Sequence, residues 1–165
     1  MTRKTRIRAA LVTATAVVTA ATVTVGVSAA GDSKPSKPSK KQVAALFDTW
    51  NAAIQTGDPK KVADLYADDS VLLPTLSNKP RTDRAGLIDY FEHFLANKPV
   101  GKKIETHINV LDSNSVLDAG LYQFTLTDHD TGKKSVVKAR YTYEWEKRNG
   151  EWKIVNHHSS VMPEG

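Results

Sequence analysis

The chain has no cysteine among its 165 residues, which removes a disulfide framework, a thiolate zinc site and a cysteine nucleophile together. That absence also suits a chain that folds after export without pairing errors. The first 30 residues hold no acidic residue, and the stretch from Gly31 to Lys40 holds no apolar one. Each shortage marks a segment that stands apart from the rest.

In the first segment Arg3, Lys4, Arg6 and Arg8 form a basic start, and an uncharged Ala/Val/Thr run follows from Ala9 to Val27. Val27-Ser28-Ala29-Ala30 then offers the small residues that a signal peptidase cuts. Residues 1–30 are expected to be an export signal cleaved after Ala29 or Ala30, leaving a secreted or extracytoplasmic product. The alternative is an uncleaved anchor that tethers the protein to the membrane. Ala9 to Ala30 is 22 residues where a span needs roughly 20, although its many threonines and alanines make it weakly apolar. Residues 31–40 repeat Ser, Pro and Lys; with nothing to bury they cannot offset ordering entropy and are expected to be a semi-extended linker.

Charge follows the same division. The first 30 residues carry four of the 23 basic residues and none of the 18 acidic ones, so the +5 formal charge of the chain falls to +1 without them. The linker holds three more lysines and one aspartate, which leaves −1 for residues 41–165. The basic pI thus belongs to the leader and linker, and nucleic acid is not an expected partner of the domain. After signal cleavage no membrane contact is expected either. The remaining 125 residues make one domain with a real core.

Within it, Val43, Leu46, Phe47, Trp50 and Ile54 recur at steps of three and four and predict a first helix with one apolar face. Gly57-Asp58-Pro59 supplies a left-handed stop, an N-cap and a first helical residue, so a short second helix bearing Val62, Ala63, Leu65 and Tyr66 is expected after a tight corner. Ser70 to Thr75 reads as a short strand, and Asn78 to Thr82 as a turn or a strand fragment. Thr82 or Asp83 caps a third helix with Leu87, Tyr90, Phe91, Phe94 and Leu95 on its apolar face, ended by Asn97-Lys98-Pro99.

From Lys102 the period changes to two. Ile104, Thr106, Ile108 and Val110 alternate with polar residues, and strands from Val116 to Thr127, Val136 to Glu146 and Trp152 to Ser160 complete an expected four-stranded antiparallel meander. Three helices followed by long strands make an α+β layout with the helices on one face. In the Val116 to Thr127 strand both parities are partly apolar, so the second face of the sheet is expected to be covered, most simply by another copy of the chain. His157 and His158, adjacent on the last strand, must point to opposite faces.

The element order, with Ala139-Arg-Tyr-Thr-Tyr143, Trp145, Asn149-Gly-Glu-Trp152, Ile154-Val155, the run His157 to Ser160 and Pro163, resembles the nuclear-transport-factor-2-like superfamily. Within it the chain is most similar to the association (hub) domain of calcium/calmodulin-dependent protein kinase II and to SgcJ/EcaC-type, SnoaL-like bacterial proteins. The likeness spans about residues 41–163. It implies a cone-shaped cystatin/nuclear-transport-factor-2-like fold, with three N-terminal helices packed on a curved antiparallel sheet, a pocket between them, and dimers formed through the outer face of the sheet. In the hub domain arginines line the pocket. The matching positions here are Tyr122, Tyr143 and Ser159, so the resemblance implies an aromatic, hydroxyl-bearing pocket in place of an anion site.

Ketosteroid isomerase, in the same superfamily, needs a carboxylate base with a tyrosine and a protonated aspartate. Asp118 shares parity with Tyr122 but lies near a turn, where it is expected to reach solvent, and isomerase activity is not carried over. His157 shares parity with Val155 and Ser159 and is expected on the pocket side, as a tentative catalytic acid or base, as a ligand contact, or as a core histidine bonded to a tyrosine hydroxyl. Trp50, Tyr66, Tyr90, Phe94, Tyr122 and Tyr143 are candidates to line the pocket; plain core is the better reading for Trp50 and Phe94, and Tyr122 and Tyr143, whose hydroxyls need partners, are the stronger ligand candidates. With Ser159 they define the expected ligand site.

His158, Arg140 and Thr142 are expected in the subunit contact. His157, His129 and His107 have no ligand-set spacing, so neither a metal nor another cofactor is expected. Three functions remain: a dimeric domain binding a small hydrophobic or aromatic ligand, a SnoaL/SgcJ-like isomerase, cyclase or oxidoreductase acting on a carbonyl compound through His157, and a structural oligomerisation module.

Overall fold

Ser39 starts the first helix, α1 (Lys40–Gln55), in a computed structural model that describes residues 36–164. The expected export segment and residues 31–35 of the expected linker lie outside the described residues. The Ser39 hydroxyl accepts from the Gln42 amide at 3.3 Å, while the Gln42 side chain accepts from the Ser39 amide at 2.8 Å. This reciprocal cap satisfies two amides that the first turn would leave unpaired. The fold therefore begins slightly inside the tract expected to be linker, and Lys37 Nζ also donates to the Leu111 carbonyl at 2.9 Å.

Val43, Phe47, Trp50 and Ile54 form the buried face of α1. Gly57 adopts φ +71° and ends it. Asp58 then caps α2 (Pro59–Ala63) by accepting from the Lys60 amide at 2.9 Å. The second helix stops before Tyr66, which opens β1 (Tyr66–Leu73) instead. A five-residue helix gains little from its own hydrogen bonds, whereas leaving it lets Leu65 accept from the Ile154 amide at 2.8 Å and Tyr66 pair with Ile154.

Asp83 accepts from the Gly86 amide at 2.7 Å and caps α3 (Arg84–Ala96), whose Leu87, Phe91 and Leu95 are buried. Four long strands follow: β2 (Val100–Val110), β3 (Ser115–Thr127), β4 (Lys134–Arg148) and β5 (Glu151–Val161). They form the expected antiparallel meander, but β1 adds a fifth strand parallel to β5, giving the order β1-β5-β4-β3-β2. The segment after β1 touches it once more through the Leu72–Arg81 bridge before α3 begins.

β-Bulges on β2 and β5 curl this sheet, and the β1–β5 pairing shifts register between Tyr66 and Val71. On β2 the pairing passes from Lys103 to Glu105, leaving Ile104 as the extra residue, and Ile104 is exposed although alternation placed it with Ile108. On β5 it passes from Ile154 to Asn156, so Val155 is the extra residue, and the inward residues become Ile154, His157 and Ser159. Val155 therefore does not share the face of His157. An extra residue bends the strand and raises its twist, and the concave face this produces closes over α1 and α3.

Asp118 also departs from expectation, being fully buried. Its carboxylate pairs with the Lys103 ammonium and accepts from the Tyr141 hydroxyl at 2.9 Å. These partners offset the desolvation that an unpaired carboxylate would suffer, which is why a charged residue stays inside near the end of its strand. Among the described residues no helix is long and apolar enough to cross a membrane.

Gly120 faces the β2 bulge, and a Cβ there would lie 2.1 Å from the Glu105 carbonyl oxygen. Backbone cannot yield as a side chain can. Gly120→Ala should lower unfolding free energy by about 2–3 kcal/mol in denaturant titrations, and a loss below about 0.5 kcal/mol would mean that the bulge is not pinned by this contact.

Candidate functional site

Trp50 on α1, Tyr66 at the start of β1 and His157 on β5 come from three distant parts of the chain and meet in one hydrogen-bond chain. Trp50 Nε1 donates to the Tyr66 hydroxyl at 3.2 Å, and that hydroxyl lies 2.8 Å from His157 Nδ1. An indole N–H can only donate. Tyr66 oxygen thus accepts from Trp50, and its own hydrogen finds an acceptor only if His157 Nδ1 carries a lone pair. The imidazole proton then sits on Nε2. This atom is buried and has no protein partner.

The ring is also held by packing. Tyr143 stacks on it with centroids 4.0 Å apart at 25°, and Trp50 meets it edge-on at 5.6 Å and 87°. Burial, helped by the nearby His158, lowers the His157 pKa to about 3. The imidazole is neutral at ordinary pH. With Nδ1 engaged and Nε2 protonated it presents a hydrogen-bond donor in a fixed orientation, and it does not offer the lone pair that a general base needs.

His157 borders a cavity of about 250 Å³ between α3, the segment around Thr75, and the inner faces of β3, β4 and β5. Of the expected ligand residues, Trp50, Tyr90, Tyr122, His157 and Ser159 line it. Tyr66 and Tyr143 do not. They stand behind His157, where burial drives both phenol pKa values well above the usual tyrosine range. Periodicity could place these tyrosines inside the cone, but could not separate the wall of a cavity from the layer behind it.

A second polar chain runs along the wall. The Tyr122 hydroxyl donates to Ser159 Oγ at 2.6 Å, and Ser159 Oγ shares a hydrogen bond with Thr75 Oγ1. Three hydroxyl hydrogens serve two bonds, so one hydrogen on Ser159 or Thr75 stays free. Tyr90, whose pKa burial raises to about 12, stacks flat against Phe94 at 5.9 Å and 11°, and both line the cavity. Sequence reading missed Thr75, Leu72 and Ala139, which also face it. Thr75 sits just beyond β1 and carries no local signal of its contact with Ser159, 84 positions away.

The remaining candidates lie elsewhere. His158 is exposed on the outer face of the sheet and pairs in register with Thr142, and Arg140 on the same face donates from Nε to Ser160 Oγ at 3.1 Å. His107 and His129 are exposed and bonded to Glu105 and Asp130, so they do not converge with His157. Among the described residues no group of three or more His, Asp or Glu is placed to hold a metal ion.

Comparison with known proteins gives three kinds of result. The family described as calcium/calmodulin dependent protein kinase II association domain matches residues 39–163. A Xanthomonas campestris structure ascribed to that association domain is similar at 55% identity and TM-score 0.75, over 79% of this chain and 96% of the other. A nuclear transport factor 2-like superfamily protein from Salmonella enterica, at 18% identity and TM-score 0.64, covers 76% of this chain and 95% of its own. The association domain of C. elegans CaMKII, at 14% identity and TM-score 0.60, covers 74% and 95%. The two distant structures share the fold. No curated protein matches the chain.

The buried imidazole makes stability depend on pH with a definite sign. Folded His157 stays neutral down to about pH 3, while an unfolded histidine takes a proton below about pH 6.5. The unfolded state therefore binds more protons in that window, and its share of stability is full above pH 6.5 and shrinks by up to about 1.4 kcal/mol per pH unit as pH falls toward 3. Denaturation of the protein and of His157→Gln between pH 4 and 8 checks this. The difference between them should narrow on acidification, and a constant difference would show that the imidazole is charged or solvated in the fold.

Proposed function

Because the chain belongs to the calcium/calmodulin dependent protein kinase II association domain family, we propose that it is an exported, dimeric domain that uses its cone to hold a small hydrophobic or aromatic molecule. The observation that carries this reading is the cavity itself: a mainly apolar space of about 250 Å³ with one buried imidazole nitrogen that no protein group satisfies. A purely structural module would be expected to fill this volume. Unfilled apolar space costs stability, and a cavity of about 150 Å³ already accepts benzene, so a substituted ring fits the room available.

Catalysis on a carbonyl compound is the weaker reading. It asked His157 to shuttle a proton, but the nearest group to Nδ1 is a tyrosine hydroxyl, no carboxylate orients the ring, and the neutral form persists far below physiological pH.

Dimerisation is supported by the family and by the outer face of the sheet. Leu73, Leu121 and Val136 stand among Arg140, Thr142 and His158 there, and Leu73 and Val136 are exposed apolar side chains. Export rests on the basic and apolar leader with its small-residue cut site. N-terminal sequencing of protein recovered outside the cytoplasm should begin at Ala30 or Gly31.

Thermal-shift screening with small aromatic compounds such as toluene, naphthalene and phenols should raise the melting temperature of the protein. Ala139→Leu, which fills the cavity from β4, should abolish the rise while the variant stays folded. Absence of any stabilising compound would overturn the binding function. Sedimentation equilibrium should give twice the chain mass, and Leu121→Lys, which sets a second cation opposite Arg140, should weaken association at least tenfold.

A further inference from the structure

The cavity offers hydrogen-bond donors and no charge, and its two halves divide the work. Tyr90 and Phe94 supply a flat stacked wall, and Trp50 closes the inner end beside His157. Against this apolar surface His157 and Ser159 both line the cavity from β5; the first carries a buried, unpartnered Nε2–H, and one spare hydroxyl hydrogen rests on Ser159 or on its partner Thr75. His157 and Ser159 are two residues apart on one face of β5, so they lie about 7 Å from each other along the strand.

We propose that the occupant is an uncharged aromatic molecule carrying an oxygen acceptor, of the aryl ketone class, whose oxygen takes the His157 Nε2–H while its ring lies against Tyr90 and Phe94. This rests on the cavity being a ligand site as argued above. A buried donor left unpaired carries an uncompensated desolvation cost, and an incoming acceptor removes that cost, so the site prefers an oxygen-bearing ring over a plain hydrocarbon of equal shape. Tyr122, Ser159 and Thr75 already bond one another, whereas His157 Nε2 has no protein partner at all, which leaves His157 the buried donor with most to gain.

An anionic ligand is disfavoured on the same grounds. No lysine or arginine lines the cavity, and His93, the other imidazole near it, is exposed and donates from Nδ1 to the Asp89 carbonyl of its own helix. A carboxylate would lose its hydration without gaining a countercharge. The tautomer that makes Nε2 a donor is enforced from behind, because the Trp50–Tyr66 pair leaves Nδ1 only the acceptor role.

The test is a matched set of ligands titrated into the unaltered protein: acetophenone, ethylbenzene and benzoate. Acetophenone should bind at least tenfold more tightly than ethylbenzene, and benzoate more weakly than either. In ¹⁵N-labelled protein the His157 Nε2–H resonance should shift on adding acetophenone and stay unmoved by ethylbenzene. Equal affinity for acetophenone and ethylbenzene would overturn the acceptor assignment while leaving the cavity a binding site. Tighter binding of benzoate would overturn the exclusion of charge. Acetophenone binding with no movement of that resonance would remove His157 from the contact, and failure of all three to bind would overturn the binding function together with this inference.

Discussion

One hydrogen-bond chain, from the Trp50 indole through the Tyr66 hydroxyl to His157 Nδ1, ties the first helix, the parallel edge strand and the last strand into a single unit. Its direction follows from elementary donor and acceptor counting, since an indole can only donate and a phenol has one hydrogen to give. That counting settles which imidazole nitrogen keeps its proton. The chemistry offered at the cavity is therefore decided in part by Tyr66, which does not touch the cavity, in the way that partners behind a ligand commonly fix its orientation.

Around this chain the interior is largely aromatic. Phe47, Trp50, Phe91, Tyr122, Phe124, Tyr141, Tyr143 and Trp145 are all buried, and most meet edge-on or tilted, the arrangement that ring quadrupoles favour. Large rings fill a tapering space well at its narrow end. At the wide end, between α3 and the tips of β3 and β4, the side chains become Leu126, Val137 and Ala139, and the smaller residues leave room. Tyr122 and Ser159 bring hydroxyls to the wall, and no lysine or arginine lines it. The buried charge that remains, Asp118, is compensated by Lys103 and Tyr141 away from the cavity wall.

Local rules were strong where one residue type has one job. The Asp83 cap, read as one of two candidates beside Thr82, the Gly57-Asp58-Pro59 corner and the apolar stripe of α1 could each be read from neighbours a few positions apart, and all appear as helix boundaries or buried faces. Asp118 shows the limit of that method. Its nearness to a turn suggested solvent, yet two partners 15 and 23 positions away hold it inside. Ile104 and Val155 show another limit, since alternation assumes an uninterrupted pleat and each residue is the extra member of a bulge. Tyr66 was drawn into a helix by its spacing but belongs to a strand, because edge pairing with β5 outweighs the propensity of a very short helix.

The sequence alone determined the α+β order, the inward and outward sides of the long strands near His157 and His158, and the membership of the family, because these depend on periodicity and on residue types at fixed spacing. Tertiary structure decided the parallel fifth strand, the separation of Tyr66 and Tyr143 from the cavity wall, the pairing of Thr75 with Ser159, and the donor state of the imidazole. Those features arise from contacts between segments that local patterning cannot bring into register, and they become visible only when the bent sheet places them within hydrogen-bond distance.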